Sequence, residues 1–400
     1  MMDKARFVGL INPQDLIRTT EELIRIPSYP GIAAQETAVA RYIQNRMTEA
    51  GIACRLQDVI DGRANVIGVL PGSGGGRSLL LCGHTDTVPP YDMKDALDPR
   101  REGDRIYGRG ASDMKGSLAA MLEAMLAIKR SGLKLKGDLI FAGVIDEEMK
   151  SQGAVDLIEK GITADMAIVG EPSNSKLCVA HRGLEWFEFC FKGRTVHGGE
   201  QAQGINAISK AAHFICAVEN ELLPELEKRQ DPLLGRSTAN IGVIQGGTQL
   251  STVPGECRVS IDRRFLPTEK YAEVCAEFKG LLDQLSADDP EFSCEMKLTE
   301  ASVMKTGYVH LPLAIMKDES LIKLFQEKID EAYAQKTEIA SFPAWSDAGL
   351  LASYGKIPSV VFGPGDIEGC HSPLEYITVS DLTKACLAFA LFVVEFCGLR

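Results

Sequence analysis

Residues 78–90 read Ser-Leu-Leu-Leu-Cys-Gly-His-Thr-Asp-Thr-Val-Pro-Pro. The run Leu79–Cys82 is apolar without polar alternation, as in a strand buried on both faces. Through Gly83 it ends in His84 and Asp86, two residues apart. On extended backbone, positions i and i+2 face the same side, about 6–7 Å apart. The two side chains therefore look into one space where the chain leaves the core. An isolated His-x-Asp reads most simply as a loop with two solvated polar groups, so its surroundings decide.

The same pattern recurs. "DLIFAGVI" (138–145) runs into Asp146-Glu147-Glu148, "MAIVG" (166–170) into Glu171, and "SVVFGPG" (359–365) into a loop carrying His371. Asp113 sits in the glycine-rich "YGRGASDMKG" (107–116), ahead of an apolar helical stretch, "KGSLAAMLEAMLAIKRSG" (115–132). "RANVIGVL" (63–70) is a further apolar run, and "DLIRTTEELIRI" (15–26) and "QETAVARYIQNRMTEAG" (35–51) have helical spacing, with Gly51 as a stop. Apolar strands separated by helices predict an α/β fold with a mostly parallel sheet and helices on both faces.

After Glu171-Pro172 the character changes. "GLEWFEFCFKG", "TANIGVIQGG", "ECRVSIDRRF" and "FSCEMKL" alternate polar and apolar residues, with helices expected over 205–226 and 269–285. Half-exposed antiparallel strands read this way. The parallel pattern resumes at "IPSVVFGPG", which makes this part an inserted α+β lid or dimerisation domain. The expected division is 1–182 with 302–400 for the catalytic domain and 183–301 for the insert.

Four hundred residues suit two or three domains, and a net charge of −12 excludes a phosphate-backbone partner, so no nucleic acid is expected. The first fifteen residues lack the apolar core of a secretory leader, and no run approaches a membrane span. Eleven scattered cysteines, with no C-x-x-C pair, fit reduced thiols in the cytoplasm. Cys82 and Cys370, though close to histidines, read as packing residues.

Each candidate also has an ordinary reading. Glu147 and Glu148 could begin a solvated helix, Asp113 could cap one, Glu171 could be a turn residue, and His371 a loop histidine. Together, however, two histidines and at least four carboxylates gather at one sheet edge, where ligands bind open parallel sheets. Such like charges are costly unless a cation neutralises them. Nitrogen and oxygen donors suit zinc, cobalt or manganese. Two histidines and three carboxylates suffice for two metals sharing one carboxylate.

The successive motifs "GHTDTVP", "GRGASDMKG", "DEE", "GEPS", "FGPG" and His371-x-x-x-Glu375 resemble those of a dinuclear zinc hydrolase family. That family contains acetylornithine deacetylase, succinyl-diaminopimelate desuccinylase, aminoacylase-1 and carboxypeptidase G. The resemblance covers nearly the whole chain and implies a zinc-peptidase-like catalytic domain with two Zn2+ per chain, replaceable by Co2+ or Mn2+. It implies that His84 and Glu171 bind one metal, Glu148 and His371 the other, and Asp113 bridges them. Glu147 becomes the general base, and Asp86 the acceptor that fixes the tautomer and orientation of His84.

Acyl transfer also needs a donor to the oxyanion. His197 in "KGRTVHGGE" is the candidate, against the plain reading of a polar strand end. The resemblance implies that it serves the active site of a partner subunit, and hence a homodimer. Arg264 in "SIDRRFLP" resembles the family's Asp-x-Arg before proline and would bind a substrate carboxylate, against the plain reading of a surface arginine. His213 and His310 read as structural or exposed.

Two departures bear on substrate. Ser251 stands where the family often has asparagine, and His181-Arg182-Gly183-Leu184 replaces the desuccinylases' Arg-Arg-Gly-Ser. Glu171, where an aspartate is the alternative, resembles the deacylases. The expected substrate is an N-acyl amino acid with a free carboxylate, acetylornithine first among them. A carboxypeptidase or dipeptidase acting on short peptides, or the desuccinylase, is the alternative. A non-catalytic metal-binding protein on this fold would have no use for a free base at Glu147. A nucleotide-binding protein would need a G-x-G-x-x-G or Walker loop, and none follows a strand.

Overall fold

A computed structural model describes residues 7–316 and 318–400; the reading of residues 1–6 as free of a leader lies outside them. The chain forms two compact units. One runs to Ala180 and resumes over Leu313–Phe342 and Ser346–Arg400; the other comprises His181–Pro312 with Pro343–Trp345. Residues 302–312, grouped from the sequence with the catalytic part, thus pack with the insert.

Along the chain, the strands of the two main sheets are β1 (Ala53–Ile60), β2 (Arg63–Leu70), β3 (Leu79–His84), β4 (Leu139–Val144), β5 (Met166–Val169) and β6 (Leu177–Ala180). They continue with β7 (Gly183–Lys192), β8 (Thr238–Gly246), β9 (Glu256–Phe265), β10 (Cys294–Leu298), β11 (Ile339–Ser341) and β12 (Ser359–Val361). The first unit holds an eight-stranded sheet in the order β1-β2-β4-β3-β5-β12-β6-β11. Its centre, β4-β3-β5-β12, is parallel throughout, and β3, β4, β5 and β12 are buried at every position. Burial at consecutive residues requires cover on both faces, as the apolar runs predicted.

"RANVIGVL" departs from the parallel expectation, because β2 pairs antiparallel with both β1 and β4. The cause is local. Asp61 and Gly62, at φ +49° and +75°, close a two-residue hairpin between β1 and β2. Such a turn permits only antiparallel neighbours, and Asp-Gly is the sequence signal for it.

Helix Thr37–Glu49 stops where Gly51 turns to φ +69°, as expected. Helix Val379–Cys397 is a core helix, with Phe389, Phe392 and Phe396 buried and Phe392 4.4 Å from the Phe325 ring. Among the described residues no helix is long and apolar enough to cross a membrane. All eleven cysteines carry free thiols.

The second unit is a four-stranded antiparallel sheet, β8-β9-β7-β10. β7 and β9 alternate as predicted, sending Phe187, Phe189, Phe191, Val259 and Ile261 to one face. Phe214 of helix Ala207–Ala217 and Phe278 of helix Tyr271–Asp288 close that face.

Candidate metal centre

Four adjacent parallel strands deliver the candidate side chains at their carboxyl ends. β3 ends in His84, β4 leads to Glu147 and Glu148, β5 to Glu171, and β12 into the loop bearing His371. Asp113 enters from the turn Ala111–Lys115, where its backbone (φ −120°, ψ 96°) leaves the helical region. Gly83 and Gly170 make room for that turn. A Cβ on Gly83 would meet Met114 Cε at 2.4 Å, and one on Gly170 would meet the same atom at 2.8 Å.

His84 Nε2 lies 2.9 Å from Asp113 Oδ1 and 3.6 Å from Glu171 Oε2. His371 Nε2 lies 3.1 Å from Asp113 Oδ2 and 3.2 Å from Glu148 Oε1. The two oxygens of Asp113 therefore face two different imidazoles. Two sets of donor atoms, His84 with Glu147 and Glu171 and His84 with Asp113 and Glu148, each fall within 4.8 Å of one another.

Asp86 acts differently from expectation. Its carbonyl oxygen, 3.0 Å from His84 Nδ1, is the nearer acceptor, while its carboxylate stands at 3.5 Å. The carboxylate instead accepts from the backbone N–H of Glu147 (3.2 Å) and of Glu148 (3.1 Å). Asp86 thus orients the histidine through its main chain and the glutamate pair through its side chain. Asp146, at φ +70°, completes that loop, and Arg63 donates to its carboxylate at 2.8 Å.

The electrostatics call for a cation. Burial, and then the charge of Glu171, pushes Glu147 well above the usual carboxylate range. Burial and Asp113 raise Glu148, and burial brings Glu171 up to about 6. His371 is pushed up to about 10 by its hydrogen bonds to Asp113 and Glu148. Burial opposes charge on His84, but Glu171, Asp113 and Asp86 outweigh it and raise that histidine strongly. Asp113 is lowered despite its burial, because both imidazoles bond to it. Glu171 Oε1 is buried without a hydrogen-bond partner. A nitrogen–oxygen donor set that draws protons onto its histidines and leaves a buried carboxylate oxygen unsatisfied fits divalent cations.

His197 and Arg264 lie in the second unit. His197 is exposed, and its Nδ1 accepts from Gly199 N at 3.1 Å, which places the ring proton of the neutral form on Nε2. Its backbone bridges to Thr252, and Gly198 N donates to the carbonyl of Ser251. Arg264 grips Asp262 side-on, Nε at 2.8 Å and Nη2 at 3.0 Å, leaving the Nη1 edge of its fork for another acceptor. His213 is exposed, whereas His310 is buried edge-on to Trp345.

Residues 80–395 match the family model described as peptidase family M20/M25/M40. The chain belongs to the M20 family. It is 32% identical to an acetylornithine deacetylase of Myxococcus xanthus, over 90% of this chain and 92% of the relative. It is 28% identical to an N-formyl-4-amino-5-aminomethyl-2-methylpyrimidine deformylase of Halalkalibacterium halodurans, over 97% and 96%. The aminopeptidase PepT structure from Bacillus cereus superposes with a TM-score of 0.79 at 22% identity, covering 98% of this chain and 100% of that one, a likeness of fold. As an M20 member the chain is a hydrolase of amide bonds.

Several groups around this M20 centre escaped the sequence reading. Asp347 is buried, and burial pushes it up to about 8 within electrostatic reach of Glu171 and His84. Lys115 is buried and brought down to about 7, its ammonium donating to the Ile26 carbonyl at 2.7 Å. Ser173 exchanges hydrogen bonds with Gly363, joining the "GEPS" and "FGPG" loops. Arg109 and Glu375 form a buried ion pair beneath Asp113. Both belong to quoted motifs, so the only signal was a charged residue inside a glycine-rich or loop motif.

Proposed function

We propose that this chain removes the acyl group from an N-acyl amino acid bearing a free carboxylate, with acetylornithine the leading substrate, using two zinc ions. The observation that carries the reading is Glu147. It is a carboxylate within 4.8 Å of ligand atoms of His84 and Glu171, yet among the described residues no hydrogen bond holds its side chain. A site built only to store metal has no need of it.

In this reading His84 and Glu171 hold one ion, Glu148 and His371 the other, and Asp113 serves both. When bound, such ions supply Lewis acidity and a water of lowered pKa. Glu147 takes the proton of the attacking water and returns it to the departing amine. His197, with its proton on Nε2, donates to the oxyanion, and the Nη1 edge of Arg264 receives the substrate carboxylate. The active form is a homodimer. Its support is the edge strand β8, whose Val243 and Ile244 are about half exposed, near the exposed Leu250.

Peptides and formamides compete as substrates, since the relatives include an aminopeptidase by fold and a deformylase by sequence. Purified protein supplied with zinc or cobalt should carry about two ions per chain. It should release amine from N-acetylornithine faster than from dipeptides or formylated amines. One ion per chain in fully active protein would refute the bridged site, and faster release from dipeptides would make the chain a peptidase.

A further inference from the structure

Arg109 has no place in the proposed chemistry, yet its side chain is 1% exposed and that of Glu375 fully buried. Each of its five N–H donors meets an acceptor. Nε donates to Pro89 O at 3.2 Å, Nη2 to Pro90 O and His371 O at 3.3 Å each, and Nη1 to Ser372 O at 3.4 Å and to the Glu375 carboxylate. The other oxygen of Glu375 accepts from the backbone N–H of Ser112 at 3.0 Å and of Asp113 at 3.2 Å. One buried ion pair therefore ties three loops, those bearing Asp86, Asp113 and His371.

The two candidate ion positions depend on this tie unequally. His84 ends a buried strand whose ladder continues to the last residue, paired with Val144. Glu171 stands two residues past the end of β5, after Gly170. His371 has neither support. It sits on a loop, at φ +61°, with its side chain 46% exposed. Its carbonyl and that of Ser372 are held by Arg109, and the turn that aims Asp113 is held by Glu375. A left-handed backbone at a non-glycine residue persists only where the surroundings hold it.

We propose that Arg109 and Glu375 are positioning residues for the ion shared by Asp113, Glu148 and His371, so that disturbing the pair empties that position first and spares the ion at His84 and Glu171. This rests on the two-ion reading above. Lysine at 109 keeps the charge but offers three donors from one atom, too few for five acceptors. The double substitution Arg109→Met with Glu375→Leu removes both charges together, which buried pairs tolerate far better than loss of one partner.

The test is titration of the metal-free protein with zinc alone, reading stoichiometry and affinity by competition with a chromophoric chelator, alongside the thermal midpoint of each metal-free variant. Wild type should take up two ions. In Arg109→Lys and in the double variant the weaker ion should lose affinity by ~10–100-fold, as outer-sphere partners of metal ligands typically dictate. The tighter ion should stay within about threefold and both proteins should remain folded. Two ions bound with wild-type affinities would overturn the proposal, as would equal weakening of both or failure of both variants to fold, the marks of a purely structural pair. A wild type that binds fewer than two ions would break the two-ion reading itself, and the proposal with it.

Discussion

Glu147 and Glu148 are neighbours in sequence, and one aspartate holds both backbone N–H groups, yet their side chains meet different surroundings. Glu148 is held by His371 at 3.2 Å; Glu147 reaches toward His84 and Glu171 without a bond to either. Glu147→Gln should lower kcat by at least ~10²–10⁴, the usual weight of a general acid–base group, while metal content stays near two ions per chain. Glu148→Gln should lose metal first. Metal analysis beside steady-state kinetics reads both, and the reverse pattern would exchange the two roles. The role of this acidic pair was legible because it recurs with His84, Glu171 and His371 at one sheet edge, where so many like charges need a cation. The dual use of Asp86 was not legible. Its carbonyl serves one histidine and its carboxylate two amides, a division that depends on loop torsions and not on residue type. Arg109 and Glu375 stayed hidden for another reason: they are 266 positions apart, and nothing in either motif points to the other.

At the scale of elements, the strand ends were readable and the direction of one strand was not. β3, β4, β5 and β12 announce themselves by unbroken apolarity, which predicts their parallel pairing, whereas their order in the sheet is set by the tertiary fold. β2 is largely buried too, and burial alone does not show its antiparallel pairing; the Asp61-Gly62 turn signals it for β1, and nothing local signals it for β4. How closely the loops beyond the strands approach one another is equally invisible in sequence, and it has a direct consequence. A Cβ on Gly363 would stand 2.3 Å from the carbonyl oxygen of Gly170 and 2.6 Å from that of Glu171, both backbone atoms that have no rotamer to yield. Gly363→Ala should therefore cost about 1–3 kcal/mol, the range for overpacking, and shift Glu171. Gly280, within helix Tyr271–Asp288, has nothing within 4 Å of its added Cβ. Gly280→Ala should stabilise by roughly 0.5–1 kcal/mol through helix propensity. Urea denaturation of the pair decides: equal shifts, or a destabilised Gly280→Ala, would contradict this account.

At the scale of the whole molecule, the proposed dimer and the proposed role of His197 are tied together. His197 is exposed in the second unit, its Nδ1 occupied by Gly199 N and its Nε2 proton directed to nothing within its own loop. The same unit presents an edge strand with apolar side chains in solvent, at Val243 and Ile244, and an exposed Ile208 on the neighbouring helix. An unpaired edge with an apolar face is normally covered, and in the proposed dimer a second copy would cover it with two-fold symmetry. If His197 serves the partner's centre, His197→Ala and Glu147→Ala homodimers should each be nearly inactive. A mixed dimer then has one site lacking both groups and one site possessing both. Co-expression of differently tagged chains in equal amounts makes about half the dimers mixed, so activity should recover to about a quarter of wild type. If His197 serves its own chain, every site in the mixture lacks one group and no activity returns. A mixed dimer isolated through both tags and found as inactive as its parents would leave His197 acting within its own chain, and the oxyanion of each site would then be served without the partner.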